Sequence, residues 1–210
     1  MARYTGPVCR LCRRIGSKLT LKGDRCLTPK CALERRSSPP GQRMAQRRRR
    51  RVSDRGLQLL QKQKVRYSYG VLEGQFRRLF AQAERRPGIT GEILLELLER
   101  RLDNTTYRLG FADSRAQARQ IVLHGHITLN GRKTDIPSCQ IKPGDVIAWR
   151  EASTKTEYFK RVAQQIQSKT IPSWLSLDID KLSGRVLGLP TRSDIGAEFD
   201  EKSVVEYYSR

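Results

Sequence analysis

Long apolar runs are missing from this 210-residue chain, and acidic residues are scarce beside basic ones. No stretch reaches the apolar length that a membrane-spanning helix needs, and the first residues lack the apolar run of a secretion signal. Enzyme motifs are absent too: there is no phosphate-binding glycine loop, no dinucleotide fingerprint and no His-Glu-x-x-His helix. We therefore expect no membrane, no catalytic residues, no small-molecule substrate and no enzyme activity.

Positive charge dominates what is present. Lysine and arginine total 42 against 21 acidic residues, which gives a net charge of +21. Such an imbalance does not help a soluble protein fold, because like charges repel in the compact state. It indicates a polyanionic partner, with nucleic acid first and an anionic membrane surface second. Most of the excess falls in the first fifty residues, whereas the last sixty are neutral.

Four of the five cysteines lie near the start, as Cys9-x-x-Cys12 and Cys26-x4-Cys31. Two close pairs separated by a short loop are typical of a tetrahedral four-thiolate zinc site. Four ligands leave no open position, so one structural Zn²⁺ ion is expected. Free cysteines, two disulfides or an iron–sulfur cluster are the alternatives. Cys139 stands alone and is interpreted as a small core residue.

Helical and strand patterns follow this segment. Apolar spacing predicts a helix over residues 68–86, and Thr90 is expected to cap another. Arg47 to Arg51 read either as a basic linker or as a helix that forms against phosphate. After residue 102 the pattern predicts a small α+β unit: a helix from Ser114, a strand over 127–129, a return strand over 132–136 and a strand over 146–149. Asn130-Gly131 is a strong hairpin signal, and residues 158–168 could be a further helix.

Cationic and amide donors cluster on the Ser114 helix and the hairpin. Arginine suits phosphates, and amides or imidazoles can read bases and 2′-hydroxyls. An ordinary solvated helix face is the alternative, and the two histidines could be simple helix-end polar groups. The predicted RNA-binding residues are Arg47, Arg48, Arg49, Arg50, Arg51, Lys62, Lys64, Arg66, Arg77, Arg108, Arg115, Arg119, Gln120, His124, His126, Asn130, Arg132 and Lys133.

Several runs resemble a known ribosomal family. Within the small unit they are Arg101-Leu102-Asp103-Asn104, Ser114 to Gln120, His124-Gly125-His126-Ile127 and Asn130-Gly131. Outside it they include Met1 to Pro7, the four cysteines, Pro39 to Gln42, Pro172 to Leu175 and Val204 to Arg210. Together these resemble the bacterial-type small ribosomal subunit protein four family in its zinc-binding, four-cysteine version.

The resemblance implies an α+β fold: a helical domain with a zinc-clipped N-terminal segment, and an inserted RNA-binding module in which a helix pair packs on a short antiparallel sheet. The expected parts are residues 1–43 (zinc segment), 44–98 closed by the tail 196–210 (helical domain) and 99–195 (RNA-binding module and its extension).

The same resemblance implies a primary binder of small-subunit ribosomal RNA at a multi-helix junction in its 5′ domain. Such a protein nucleates assembly, supports translational accuracy and contacts neighbouring small-subunit protein five, in the ribosomes of the cytoplasm or of an organelle. An RNA-modifying enzyme carrying the same module and a zinc-containing DNA-binding regulator are the rival interpretations.

Overall fold

The computed structural model describes residues 3–41, 52–196 and 199–209. The chain divides into two compact units, each with its own internal packing. The first unit runs to Leu94 and takes in the residues after Gly196, and the second unit is Leu95–Gly196. The combination of helices with a small antiparallel sheet confirms the predicted α+β class.

The first unit is helical. Its helices are α1 (Cys9–Ile15), α2 (Ala32–Arg35), α3 (Asp54–Ser68), α4 (Glu73–Glu84) and α9 (Glu201–Tyr208), while α5 (Thr90–Glu99) runs across the division at Leu94. The rings of Phe80 and Tyr208 lie 4.5 Å apart, so α9 packs directly on α4. Val65, Phe76 and Val204 are at most 1% exposed and form the centre of this core.

The helix predicted over 68–86 is wrong at its start. Ser68 ends α3, Gly70 turns the chain with a φ of +63°, and α4 begins only at Glu73. A left-handed backbone conformation carries little steric cost only for glycine. Gly70 therefore ends one helix at a point where the apolar pattern predicts a single continuous helix. Helix α3 begins just after the basic segment, and Ser53 caps it by accepting a hydrogen bond from the Gly56 N–H.

The second unit combines three short helices with a five-stranded antiparallel sheet. The helices are α6 (Leu102–Arg108), α7 (Arg115–Leu123) and α8 (Glu157–Gln165). The strands are β1 (Ile127–Leu129), β2 (Arg132–Lys133), β3 (Val146–Trp149), β4 (Leu175–Asp178) and β5 (Ser183–Val186), in the order β2-β1-β3-β5-β4. One apolar core joins them around Phe111, Ile127 and Ile147, none of which is exposed.

Local signals around β1 are confirmed. Ser114 caps α7, because its hydroxyl accepts a hydrogen bond from the Gln117 N–H. The Gln117 side chain accepts from the Asp113 N–H and not from the Ser114 N–H, so the two residues do not form a capping box. Asn130 and Gly131 both have positive φ and connect β1 to β2 as the hairpin signal requires. The return strand is shorter than predicted: it comprises Arg132 and Lys133, and one further backbone hydrogen bond runs from the Thr134 N–H to the Ile127 carbonyl.

Strands β4 and β5 were not predicted. Their connecting turn carries no glycine or proline pair. Instead the Asp178 carboxylate accepts hydrogen bonds from the backbone of Asp180 and Lys181, and Leu182 adopts a φ of +46°. Gly184 of β5 lies so close to Leu109 that a Cβ at that position would overlap the leucine side chain. The backbone of β5 can therefore lie close to Leu109 at the end of α6.

Candidate nucleic-acid interface

The four N-terminal cysteines come together around one small cavity of about 20 Å³. Cys12, Cys26 and Cys31 are buried and Cys9 is partly exposed. Burial raises the pKa of the Cys12 thiol, and the nearby Cys26, Cys9 and Cys31 raise it further. The Lys22 N–H donates to the Cys26 sulfur at 3.4 Å. The donor set is thus what a four-thiolate metal centre requires.

Basic residues surround this cavity, where Lys22, Arg25 and Lys30 contribute to its lining. Their charge opposes the net negative charge that four thiolates and one divalent ion would carry. As they stand, however, no three His, Cys, Asp or Glu side chains in the described ranges are arranged so that they could hold a metal ion. The zinc site stays a prediction.

Arg47 to Arg51 lie outside the described residues, so their assignment to RNA also stays a prediction. In the adjoining helix α3, Lys64 is half-buried. The Lys62 side chain is only 3% exposed, and its Nζ donates to both Glu73 oxygens at 2.7 Å. We expected Lys62 to reach RNA from the surface, and burial leaves it no surface from which to do so.

Glu73 also engages other members of the predicted set. Arg66 lies 3.3 Å and Arg77 3.5 Å from its carboxylate, and the Tyr208 hydroxyl donates to it at 2.9 Å. Arg66 is mostly covered, whereas Arg77 is 69% exposed. The carboxylate therefore holds α3, α4 and α9 together, and only Arg77 of the three cations paired with it keeps most of its side chain in solvent.

The second unit contains another buried ionic network. Arg108 donates to both oxygens of Glu99, at 2.9 and 2.6 Å, and Glu99 is 1% exposed. Arg115 donates to the Asn104 side chain at 2.7 Å, lies 3.8 Å from Glu99 and stacks its guanidinium over Tyr107. The side chains of Arg108 and Arg115 are 19% and 17% exposed, respectively. Their orientation is fixed by these contacts.

Arg119 is the clearest correction. We expected it on an exposed helix face beside Arg115, but its side chain is 7% exposed and donates to Asp103 at 2.9 Å. Arg101 donates to the same carboxylate with two nitrogens, at 3.0 and 2.8 Å. Buried charges need a partner because desolvation is costly. The acid that pairs with Arg119 lies sixteen residues earlier, beyond the reach of any helical spacing rule.

The remaining predicted donors lie at the surface around the β1–β2 hairpin. Gln120, His124, Asn130, Arg132 and Lys133 are exposed, and His126 is partly buried. A Cβ at Gly125 would overlap the Lys133 side chain, so Lys133 lies against the turn between the two histidines. The histidine rings are 6.0 Å apart. The structure thus brings His124, His126 and Lys133 together.

The side chains of Asn130 and His126 already make hydrogen bonds within the protein. The Asn130 amide donates to Asp145 at 2.9 Å, and its oxygen accepts from the Val146 N–H at 2.8 Å. The His126 Nδ1 lies 2.9 Å from the Ser153 hydroxyl. Burial lowers the pKa of His126, and the charges of His124 and Arg150 lower it further. Arg150 is exposed and follows β3 directly, and it is not among the predicted RNA-binding residues.

Comparison with known proteins identifies the family. Residues 3–99 match the family described as Ribosomal protein S4/S9 N-terminal domain, and residues 100–147 match the S4 domain. The chain is 60% identical to the small ribosomal subunit protein uS4 of Dehalococcoides mccartyi, 58% to that of Heliobacterium modesticaldum and 53% to that of Thermus thermophilus. Each comparison covers all of both chains.

The chain belongs to the uS4 family. This is a family of structural ribosomal proteins and not of enzymes. The S4 domain match covers α6, α7, β1, β2 and the first two residues of β3, and it includes the Arg119–Asp103 pair and the exposed donors of the hairpin. Within the described part of the uS4-family chain, no helix is both long enough and apolar enough to cross a membrane.

Proposed function

We propose that this chain is a structural constituent of the small ribosomal subunit that binds small-subunit ribosomal RNA and nucleates assembly of the subunit body. The observation that carries the proposal is the identity of 53–60% to uS4 proteins over the full length of both chains. We further propose that it binds a multi-helix junction in the 5′ domain of that RNA and supports accurate translation.

Charge and geometry support an RNA partner. Each exposed lysine or arginine that neutralises a phosphate releases a condensed counterion, and this release drives binding at low salt. Arg77, Arg132, Lys133 and Arg150 are exposed cations of this kind. The buried arginines take a different part. The Arg119–Asp103 pair links α7 to α6, and the Arg108–Glu99 pair links α6 to the end of α5, so the exposed donors approach RNA on a rigid support.

Binding of the purified chain to a transcript of the 5′-domain junction tests the RNA partner. We expect preference for this transcript over duplex DNA of equal length, and an affinity that falls steeply as salt rises. Equal affinity for both nucleic acids would favour a nonspecific basic protein. Tighter binding to a duplex DNA site would favour the DNA-binding regulator.

We also propose one structural Zn²⁺ held by Cys9, Cys12, Cys26 and Cys31. The convergence of four thiols on one cavity with basic neighbours supports it. A bound zinc ion would supply a cross-link for a segment with little core of its own, and four protein ligands leave no position for catalysis. Elemental analysis of the purified, reduced chain is expected to give one zinc per molecule. Iron with acid-labile sulfide would favour a cluster instead.

We propose neighbouring small-subunit protein five as a protein contact and the cytoplasm as the compartment. Both rest on membership of the uS4 family and on the end-to-end resemblance of the sequence. Cross-linking of assembled small subunits, followed by mass spectrometry, is expected to give cross-links between the two proteins. Cross-links from this chain to other subunit proteins alone would remove the first proposal.

A further inference from the structure

A cleft of about 300 Å³ opens in the second unit between α7 and the region where β3 leads into α8. Its apolar wall includes Trp149, Tyr158 and Ile121. Gln120, His124 and His126 form part of its polar lining. The volume is at the lower end of the range for ligand clefts, roughly 300–1,000 Å³. A planar ring of modest size fits it better than a folded segment of protein.

We propose that this cleft receives a single unstacked nucleobase of the bound RNA. The inference rests on the RNA-binding function proposed above and names the contact that this part of the surface makes. Single-stranded bases that leave the stack are recognised by aromatic side chains on their faces and by amides or imidazoles on their edges. The cleft offers both kinds of group within one lining.

The aromatic wall is held firmly. Trp149 is 7% exposed, its ring meets Phe159 edge-on with centroids 5.5 Å apart, and Tyr158 lies 6.1 Å away. The Tyr158 hydroxyl is tied to the Phe111 carbonyl at 3.0 Å, and burial raises the pKa of this tyrosine to about 12. The hydroxyl therefore stays protonated near neutral pH, and the wall carries no negative charge that would repel RNA.

The edge-reading groups remain available. Gln120 and His124 are exposed, and no hydrogen bond from either side chain is present in the described chain. His126, which also lines the cleft, contacts the Ser153 hydroxyl through Nδ1, so this contact does not use Nε2. A base supplies both donors and acceptors to such a set.

Two exposed cations lie next to residues that line the cleft. Lys133 covers Gly125, between the two histidines that line the cleft. Arg150 follows Trp149 directly, and its backbone N–H donates to the His126 carbonyl at 2.8 Å. Positive charge beside an aromatic cleft is the arrangement expected for nucleic acid.

The test combines two footprints of the 5′-domain transcript bound to the full-length chain. Base-specific chemical probing reports unpaired bases, and hydroxyl-radical probing reports the protected backbone. The variant Gln120→Ala/His124→Ala removes two exposed edge readers and should fold normally. Gln164→Ala on α8, also exposed, is the matched control. Both variants are compared at saturating protein.

We expect one unpaired base to be protected by the wild type and by Gln164→Ala, and to regain its reactivity with Gln120→Ala/His124→Ala while the backbone footprint stays in place. The affinity of the double variant should fall by about tenfold, as expected when the hydrogen bonds to one base edge are lost and the aromatic wall is kept. An unchanged backbone footprint with no base responding to the double variant would overturn the cleft assignment alone. Absence of any footprint with the wild type would overturn the proposed RNA function itself.

Discussion

The guanidinium of Arg119 donates to the Asp103 carboxylate across 2.9 Å, and both side chains are 7% exposed. This pair links α7 to α6 inside the second unit, and Arg101 completes it from the other side of the carboxylate. Arg119, which sequence spacing predicts to bind RNA, therefore stabilises the fold as a buried framework arginine. The distinction between framework and surface arginines leads to separate predictions for stability and for binding.

Removing the shared acid should destabilise the fold. Asp103→Ala leaves Arg101 and Arg119 buried without a counter-charge, and breaking a buried pair in this way costs about 3–5 kcal/mol. Urea unfolding followed by circular dichroism measures the loss. Asp135→Ala, the same substitution at an exposed site, should stay within about 0.5 kcal/mol of the wild type. Equal losses for the two variants would contradict the structural role of Asp103.

Exposed hairpin cations should determine the salt dependence of RNA binding. Each phosphate contact contributes about 0.7–0.9 to the slope of log affinity against log salt. Arg132→Ala/Lys133→Ala should therefore lower that slope by nearly two units without changing the urea midpoint. Lys181→Ala, exposed in the β4–β5 turn, is the control and should leave the slope unchanged. A slope that responds equally to both variants would indicate diffuse attraction and no defined surface.

Acid should weaken the first unit through Glu73. Burial raises the pKa of this carboxyl, but hydrogen bonds from Lys62 and Tyr208 and the charges of Lys62 and Arg66 outweigh it and hold the pKa below its ordinary 4.5. A lowered pKa stabilises the fold above the ordinary value, and that contribution disappears as pH falls through the folded value.

Glu73→Gln should accordingly cost about 1–3 kcal/mol near neutral pH, where Lys62 loses its ionic partner. The difference from the wild type should shrink as pH falls below 4.5. Denaturant unfolding at a series of pH values measures both curves, with the exposed pair-free site Asp135→Asn as the matched charge control. A difference that stays constant down to strongly acidic pH would exclude the ionised Glu73 as its source.

Metal removal should affect only the N-terminal segment. Stripping zinc with a chelator, or replacing Cys12 by Ser, should expose the region 3–41 to proteolysis and leave the 95–196 unit protected. Cys139 is partly buried and does not line the cavity, so the Cys139→Ser variant should keep the bound zinc and the protease resistance of the wild type. Unaltered digestion of the N-terminal region after metal loss would contradict a structural role for zinc.

Local chemistry explains which parts of the fold were predictable. Ser114 before α7 and Asn130-Gly131 before β2 act through their nearest neighbours, so a short window of sequence contains the whole signal. No short stretch of sequence contains a comparable signal for strand β5. Its Gly184 is explained by Leu109, seventy-five positions away in the chain, and its turn depends on the Asp178 side chain. Only tertiary contact identifies that hairpin.

The same limit applies to the candidate interface. Positive charge and donor type correctly bring His124, His126 and Lys133 into one cluster, because the histidines flank Gly125 and the Lys133 side chain lies against that glycine. Spacing along a helix cannot reveal that Asp103 lies under Arg119, since the acid belongs to another helix. Burial of Lys62 likewise depends on Glu73, which follows only after α3 has ended.

Sedimentation tests the ribosomal function most directly. Cell extract containing a tagged copy of the full chain is separated on a sucrose gradient at high magnesium and again after a high-salt wash. One tagged chain per small subunit should sediment with that peak and remain there after the wash. A folded, soluble chain that stays at the top of both gradients would contradict its assignment as a structural constituent of the small subunit.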